Sequence, residues 1–243
     1  MQALILAGGA GTRLRPVLEQ LNKPMAPVAG KPFLEYLLLQ LKNNEIYEVT
    51  LCVGYKAHLI QSYFGTGNRL GMYISYSYET DFLGTAGALK LAEDFIHDDV
   101  FFLMNGDSLF DIELHTLMHY HYTTKAIASL ALARVADTQR YGVVQLNESG
   151  HIENFFEKRE GRTAGLINSG IYMFNREVLD SIPAGQAVSL EKDILPKLIG
   201  HGLYGLPLEG YFIDIGIPTD YRQVQSSPTQ LLAAVDQRRY SSC

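Results

Sequence analysis

The sequence predicts an α/β fold, a doubly wound and mostly parallel sheet with a smaller second lobe. Three observations predict it. In the first half, short apolar runs alternate with helix-length segments. Several of those runs, such as "ALILA" and "VFFLM", are apolar without alternation, as strands buried on both faces must be. Over 243 residues, 47% are hydrophobic and 19% charged, which suffices for a large core and excludes a disordered chain.

The elements follow in order. Ala3 to Ala7 forms a strand that runs into a glycine-rich turn. Apolar positions at helical spacing predict a helix from Phe33 to about Lys42. "EVTLCVGY" is a second strand and Lys56 to Phe64 a second helix. "MYISYSY" is a strand with Met72, Ile74, Tyr76 and Tyr78 on one face. A turn at Gly84 leads into a helix ending near Phe95, then the strand "VFFLMNGD". After about Val135 the pattern is less regular. "AIASLALARV" is a strand, "GVVQLNESGHIENFFEK" a hairpin turning at Glu148-Ser149-Gly150, and "GLINSGIYMF" a buried strand followed by a helix near Arg176. "SLEKDILPKLI" is helical, and "GYFIDIGIPTDYRQV" is a strand, a turn and a helix. We expect one domain over 1–225, with 1–135 and 136–225 as its two parts, and a C-terminal helix and tail over 226–243.

Composition also excludes function classes. A net charge of −6 offers no positive field to release counterions from a nucleic acid. No apolar run approaches the roughly 20 residues of a membrane span. The N-terminal apolar stretch lacks a cationic flank and a small-residue cleavage site, so no signal peptide is expected. Cys52 and Cys243 make neither a disulfide scaffold nor a zinc cage, and a reduced, cytoplasmic protein follows.

The chemistry concentrates in "LILAGGAGTRLRPVLEQLNKP". Gly8, Gly9 and Gly11 let backbone amides approach a ligand closely, and consecutive amides make an anion-binding concavity. Thr12, Arg13, Arg15 and Lys23 add a hydroxyl and cations suited to phosphate. The plainer reading is a strand–helix connection with surface cations. A dinucleotide fingerprint starting at Gly9 fails at Leu14, and a P-loop fails at Arg13-Leu14. Asp107 ends a buried strand at the edge where open α/β sheets bind ligands, although an aspartate there commonly caps a turn. His115 and His119 have the i,i+4 spacing of a metal pair, yet no accompanying glutamate pattern, and with His121 they read as a surface helix face. No nucleophile-elbow motif supports Ser/His/Asp catalysis.

These residues resemble the sugar-1-phosphate nucleotidylyltransferases, whose signature is a GxGTR loop with a downstream Lys-Pro. Here it reads Gly9-Ala10-Gly11-Thr12-Arg13 and Lys23-Pro24. The resemblance continues through "LGTAGAL" (83–89), "NGD" (105–107), "YGVV" (141–144), "FEK" (156–158), "NSGIY" (168–172) and "FIDIGIPTDY" (212–221). "KPMAPVAGKPFLEYLL" is closest to guanylyltransferases acting on D-glycero-α-D-manno-heptose 1-phosphate, with the mannose 1-phosphate enzymes next. The resemblance implies a Rossmann-like sheet of the nucleotide-diphospho-sugar transferase type. It implies a Mg²⁺-dependent reaction of GTP with a sugar 1-phosphate, giving an NDP-sugar for bacterial surface glycan and pyrophosphate. Neither nucleic acid nor membrane is a partner, and a homo-oligomer is left open.

By the same resemblance, Leu6, Ala7, Gly8, Gly9, Gly11, Thr12, Arg13, Glu79, Gly84 and Thr85 bind the nucleotide. Arg13, Lys23 and Asp107 are catalytic, and Asp107 with Asp214 holds the metal. Asn105, Gly142, Glu157, Lys158 and Asn168 bind the sugar phosphate. Glu79 favours guanine, because one carboxylate can accept from N1–H and the N2 amino group together, whereas uracil or thymine offers one such donor. A solvated loop glutamate is the plainer reading. Arg159 stands where the family often has proline, and the C-terminal hexapeptide β-helix of many relatives is absent. The rival classes are an NDP-sugar glycosyltransferase, which Asp107-Ser108-Leu109 does not match as an Asp-x-Asp motif, and a non-catalytic NDP-sugar sensor. Mannose 1-phosphate and uridylyl or thymidylyl transfer are the alternatives within the family.

Overall fold

The computed structural model describes residues 1–9, 11, 14, 18, 21–156 and 163–236. A nine-stranded mixed sheet forms the centre. Strand β1 (Gln2–Leu6) lies between β4 (Glu48–Val53) and β6 (Val100–Asn105), parallel to both, and β5 (Tyr73–Tyr78) extends the parallel set beyond β4. Helix α1 (Phe33–Asn43) and helix α2 (Ala57–Phe64) belong to the first two crossovers, and α3 (Gly84–Leu91) to the third.

The winding on both faces is visible in where alternate side chains go. Ala3 and Ile5 of β1 join one buried cluster with Phe33, Leu34, Leu37, Leu38 and Leu41 of α1 and with Ile60 and Phe64 of α2. Leu4 points the other way, into a second cluster with Ala86 and Leu89 of α3 and with Leu190 and Ile194. A strand covered on both sides needs apolar residues at every position, which is why β1, β4 and β6 carry no alternation. On β5 the apolar core residues lie on one face. Ile74 is buried and Tyr76 partly so, whereas Tyr78 emerges at the strand end and stacks on Tyr76.

The second half completes the sheet around one long strand, β11 (Gly165–Asn175). Its C-terminal half runs antiparallel to β6 and its N-terminal half meets β9 (Val143–Leu146) on the same edge. Its other edge pairs with β8 (Ala128–Val135). β9 and β10 (Ile152–Phe156) form the expected hairpin. The register of β11 against β8 shifts between Asn168 and Tyr172. Gly170 lies there at φ 83°, and a Cβ at that position would come within 2.7 Å of Asn105 Nδ2.

Some elements were not apparent in the sequence. Strand β12 (Leu203–Leu208) pairs parallel with β8, and β2 (Pro27–Val28) with β3 (Lys31–Pro32) makes a two-residue ribbon. A separate ladder joins β7 (Ser108–Phe110) to β13 (Phe212–Asp214). The helical segments at Arg176–Ser181 and Leu195–Leu198 are 3₁₀ turns, and Leu190–Ile194 is one π turn. Pro196 lacks an N–H and cannot continue a regular α ladder from that turn. Helices α4 (Leu114–Thr124), α5 (Pro218–Ser226) and α6 (Thr229–Ala234) complete the described chain. No helix of the described residues is long and apolar enough to cross a membrane.

Two buried polar groups tie helices to the core. His121 sits between Ser129 Oγ on Nδ1 and Asn175 Oδ1 on Nε2, each at 2.9 Å, and burial keeps it below the ordinary histidine range, hence neutral. His115 and His119 are exposed on the same helix. Glu35 is 2% exposed and accepts from Arg69 at 2.6 Å and Tyr63 at 3.0 Å, with Lys31 Nζ at 3.2 Å. Burial alone raises a carboxyl, but the donors outweigh it, so Glu35 titrates below its ordinary value of 4.5. Arg69→Ala is therefore expected to cost about 1–2 kcal/mol near neutral pH, the low end for a charged hydrogen bond because the guanidinium is half exposed. Glu35 favours its charged form in the folded state, so this stabilisation is present above pH 4.5 and is lost as the pH falls through the folded value. Urea titrations of both proteins at pH 7 and pH 3 should show a gap that narrows in acid.

Candidate active site

Parallel strands end at one edge of a sheet, and the loops leaving them surround whatever binds there. The C-terminal ends of β1 and β6, the turn before α3 and the π turn meet at that edge. They enclose a cavity of about 310 Å³ lined by Leu6, Ala7, Gly8, Gly9, Gly11, Lys23, Pro24, Cys52, Glu79, Phe82, Gly84, Thr85, Ala88, Asn105, Gly106, Asp107 and Glu191. Close backbone approach builds it. A Cβ on Gly106 would fall 2.5 Å from the Leu6 carbonyl, which already accepts from the Gly106 amide at 2.9 Å.

Most of the nucleotide-site candidates line this cavity: Leu6, Ala7, Gly8, Gly9, Gly11, Glu79, Gly84 and Thr85. Thr12 and Arg13 lie outside the described residues, as do Glu157 and Lys158. Glu79 packs against glycine, since a Cβ on Gly54 would come within 2.6 Å of its carboxylate. Burial holds Glu79 above the usual carboxylate range, opposed by the Leu83 amide, which donates to Oε2 at 3.3 Å. Cys52 is buried in the same wall. Burial and then the charge of Glu79 push its thiol up to about 12, so it is an inert thiol here and not a nucleophile.

Lys23 is 8% exposed and its Nζ lies 2.5 Å from Asp107 Oδ2. Asp107 lies two residues past the end of β6, and the β7–β13 ladder carries Asp214 next to it. Ser108 is the register partner of Asp214, and the Ile215 amide donates to the Asp107 carbonyl at 3.0 Å. Two carboxylates, Asp214 on β13 and Asp107 in the turn before β7 and in the cavity wall, are hard oxygen donors of the kind that suits Mg²⁺ with the remaining positions left to phosphate and water. No cluster of three or more His, Cys, Asp or Glu that could hold a metal occurs among the described residues. Asp214 Oδ1 accepts from the Gly216 amide at 2.6 Å. Beside it, Arg140 pairs with Asp220 at 2.5 Å and donates to the Tyr141 hydroxyl at 2.9 Å. Burial and the charge of Asp214 raise Tyr141 to about 12.

The sugar-side candidates divide. Asn105 lines the cavity, and its Oδ1 is buried with no hydrogen-bond partner among the described residues. Such an acceptor costs about 1–3 kcal/mol until a donor reaches it. Asn168 and Gly142 do not line the cavity. Asn168 Oδ1 accepts from Gly170 N at 3.0 Å, and its Nδ2 donates to the Tyr172 hydroxyl at 2.8 Å, which reaches Glu191 Oε1 at 3.4 Å. Glu191 is a cavity residue that sequence reasoning missed. Thr85 Oγ1 donates to it at 3.0 Å and accepts from Leu190 N at 2.7 Å, so the Thr85 hydroxyl is engaged in holding the wall. Phe82 was missed as well. Neither carries a sequence signal, since Glu191 is one charge in a helical stretch and Phe82 one aromatic in a polar turn.

Comparison with known proteins agrees with this geometry. The family model described as Nucleotidyl transferase matches residues 2–230. The D-glycero-alpha-D-manno-heptose 1-phosphate guanylyltransferase of Aneurinibacillus thermoaerophilus is 40% identical over 227 residues, covering 93% of this chain and 97% of that one. The mannose-1-phosphate guanylyltransferase of Mycobacterium tuberculosis is 37% identical over 91% of this chain, which spans only 62% of that longer protein. Among solved structures, HddC from Yersinia pseudotuberculosis complexed with GMP-PN superposes with a TM-score of 0.84 at 31% identity, covering 94% of this chain and 99% of that one. A cavity between a glycine turn and the Lys23–Asp107 pair, in a chain matched along nearly its whole length, places the protein in one family: it is a nucleotidyl transferase.

Proposed function

We propose that the protein transfers a guanylyl group from GTP to D-glycero-α-D-manno-heptose 1-phosphate in the cytoplasm, yielding GDP-heptose and pyrophosphate. The observation that carries this reading is one cavity bordered by a glycine-rich turn, the Lys23–Asp107 pair and the Glu79 carboxylate. Similarity to the heptose 1-phosphate relative over nearly all of both chains supports the choice of sugar. Mannose 1-phosphate is the second reading, supported by the Mycobacterium tuberculosis relative. Residues 1–135 are taken as the nucleotide side of a single domain spanning 1–225, and 136–225 as its sugar-phosphate side.

The reaction brings one phosphate dianion to another phosphorus, so charge must be neutralised and the groups aligned. An oxygen of the sugar phosphate attacks the α-phosphorus of GTP. The bond from that phosphorus to the bridging oxygen breaks, pyrophosphate leaves with the electron pair, and no covalent enzyme intermediate forms. The amides of Gly8, Gly9 and Gly11 would donate to phosphate oxygens, and Lys23 would supply positive charge from the cavity wall. Arg13 adds to that charge by resemblance. Asp107 and Asp214 would hold Mg²⁺, which when bound supplies electrostatic stabilisation to the phosphates. The Glu79 carboxylate would accept from guanine N1–H and the N2 amino group. The bare Asn105 Oδ1 accepts from a substrate hydroxyl, and Gly142, Asn168, Glu157 and Lys158 complete the sugar-phosphate side.

Pyrophosphate release across a panel of nucleoside triphosphates and sugar 1-phosphates tests the assignment. GTP with the heptose 1-phosphate should give the highest kcat/KM, and a preference for mannose 1-phosphate would select the second reading. Asp107→Ala should lower kcat by about 100-fold or more, the scale on which transition-state charge stabilisation is lost. Undiminished turnover in that variant would remove Asp107 from the chemistry. Glu79→Gln should reduce kcat/KM for GTP by roughly tenfold or more, while leaving residual use of UTP or dTTP little changed. Equal losses with every nucleotide would detach Glu79 from base choice.

A further inference from the structure

We propose that Phe82 covers a face of the bound purine by stacking, making it a determinant of nucleotide affinity that rests on the guanine reading above. The ring lines the nucleotide cavity yet is 72% exposed, whereas the other apolar wall residues are buried or nearly so. The backbone around it is tied down on both sides. The Leu83 amide closes the turn onto Glu79 Oε2 at 3.3 Å, and the Leu83 carbonyl accepts from Val188 N at 2.8 Å. Gly84, at φ 70°, packs so closely on Val188 that a Cβ would fall 2.5 Å from its carbonyl oxygen. A large ring is thus held out on an anchored turn, three residues from the carboxylate that reads the base edge.

A carboxylate bound in the plane of guanine leaves both faces of the base without a partner. Aromatic side chains satisfy such faces, and one stacked base contributes a roughly 5- to 150-fold gain in affinity. Phe82 is the aromatic residue of the cavity wall among the described residues, and it lies three positions along the chain from Glu79, at the base end of this reading.

Isothermal titration of the full chain with GTP, UTP and dTTP, with magnesium present, provides the test. Phe82→Ala should weaken GTP binding by roughly 5- to 100-fold. It should raise KM for GTP, and leave kcat and KM for the sugar 1-phosphate unchanged. Phe82→Trp should bind GTP like the wild type, and Phe82→Leu should not, because only the aromatic variant restores a stacking face. Unchanged GTP affinity in Phe82→Ala overturns the proposal, as does equal binding by the Leu and Trp variants. A wild-type preference for UTP or dTTP overturns the guanine reading instead, and it is seen without any variant.

Discussion

The architecture depends on the close approach of two strand ends. β1 and β6 run parallel side by side, and past their ends the Gly106 amide bonds to the Leu6 carbonyl in a space where a Cβ could not fit. That contact starts the glycine turn and the Asp107 loop from the same point. With β4 on the far side of β1, the exits of three strands share one edge, and the glycine turn, Lys23 and Asp107 meet at one cavity there. Helices on both faces keep the sheet dry and fix the spacing between those exits.

The wall of the cavity draws on distant segments. The turn before α3 belongs to the first half of the chain, yet Thr85 and the amides of Ala86 and Gly87 bond to Glu191 and Val188. Asn168, Tyr172 and Glu191 form a relay of hydrogen bonds from the kink in β11 to that same wall. Asn168 is thus linked to the cavity wall through Tyr172 and Glu191. The ladder between β7 and β13 does for the acidic pair what the relay does for the wall, since it sets Asp214 beside Asp107 although 106 positions separate them in sequence.

What the sequence disclosed follows from locality. Strands β1, β4 and β6 announced themselves because burial on both faces leaves unbroken apolar runs, and helix α1 because its leucines recur at helical spacing. The glycine turn was legible for the same reason, with its cavity-facing residues contiguous in the chain. Short pairings were not. β12 contains Gly205 and Pro207, which mask a strand, and β7 has three residues whose partner lies far away. The helical stretch around Glu191 was visible, but its π and 3₁₀ turns reflect Pro196 and packing beneath α3 more than propensity. Glu191 and Phe82 matter through neighbours brought by the fold, and a lone sequence holds no mark of that.

The placement of β11 between β6 and β8 has a bearing on how the chain acquires its shape during synthesis. When only the first 135 residues have left the ribosome, β6 has β1 on one side and a bare row of amides and carbonyls on the other. That ragged border stays open until residues 171–175 emerge to seal it. An apolar strand left open in this way is a template for mispairing with other nascent chains. The closing of the seam by β11 thus sets when β6 stops offering an open edge to other chains.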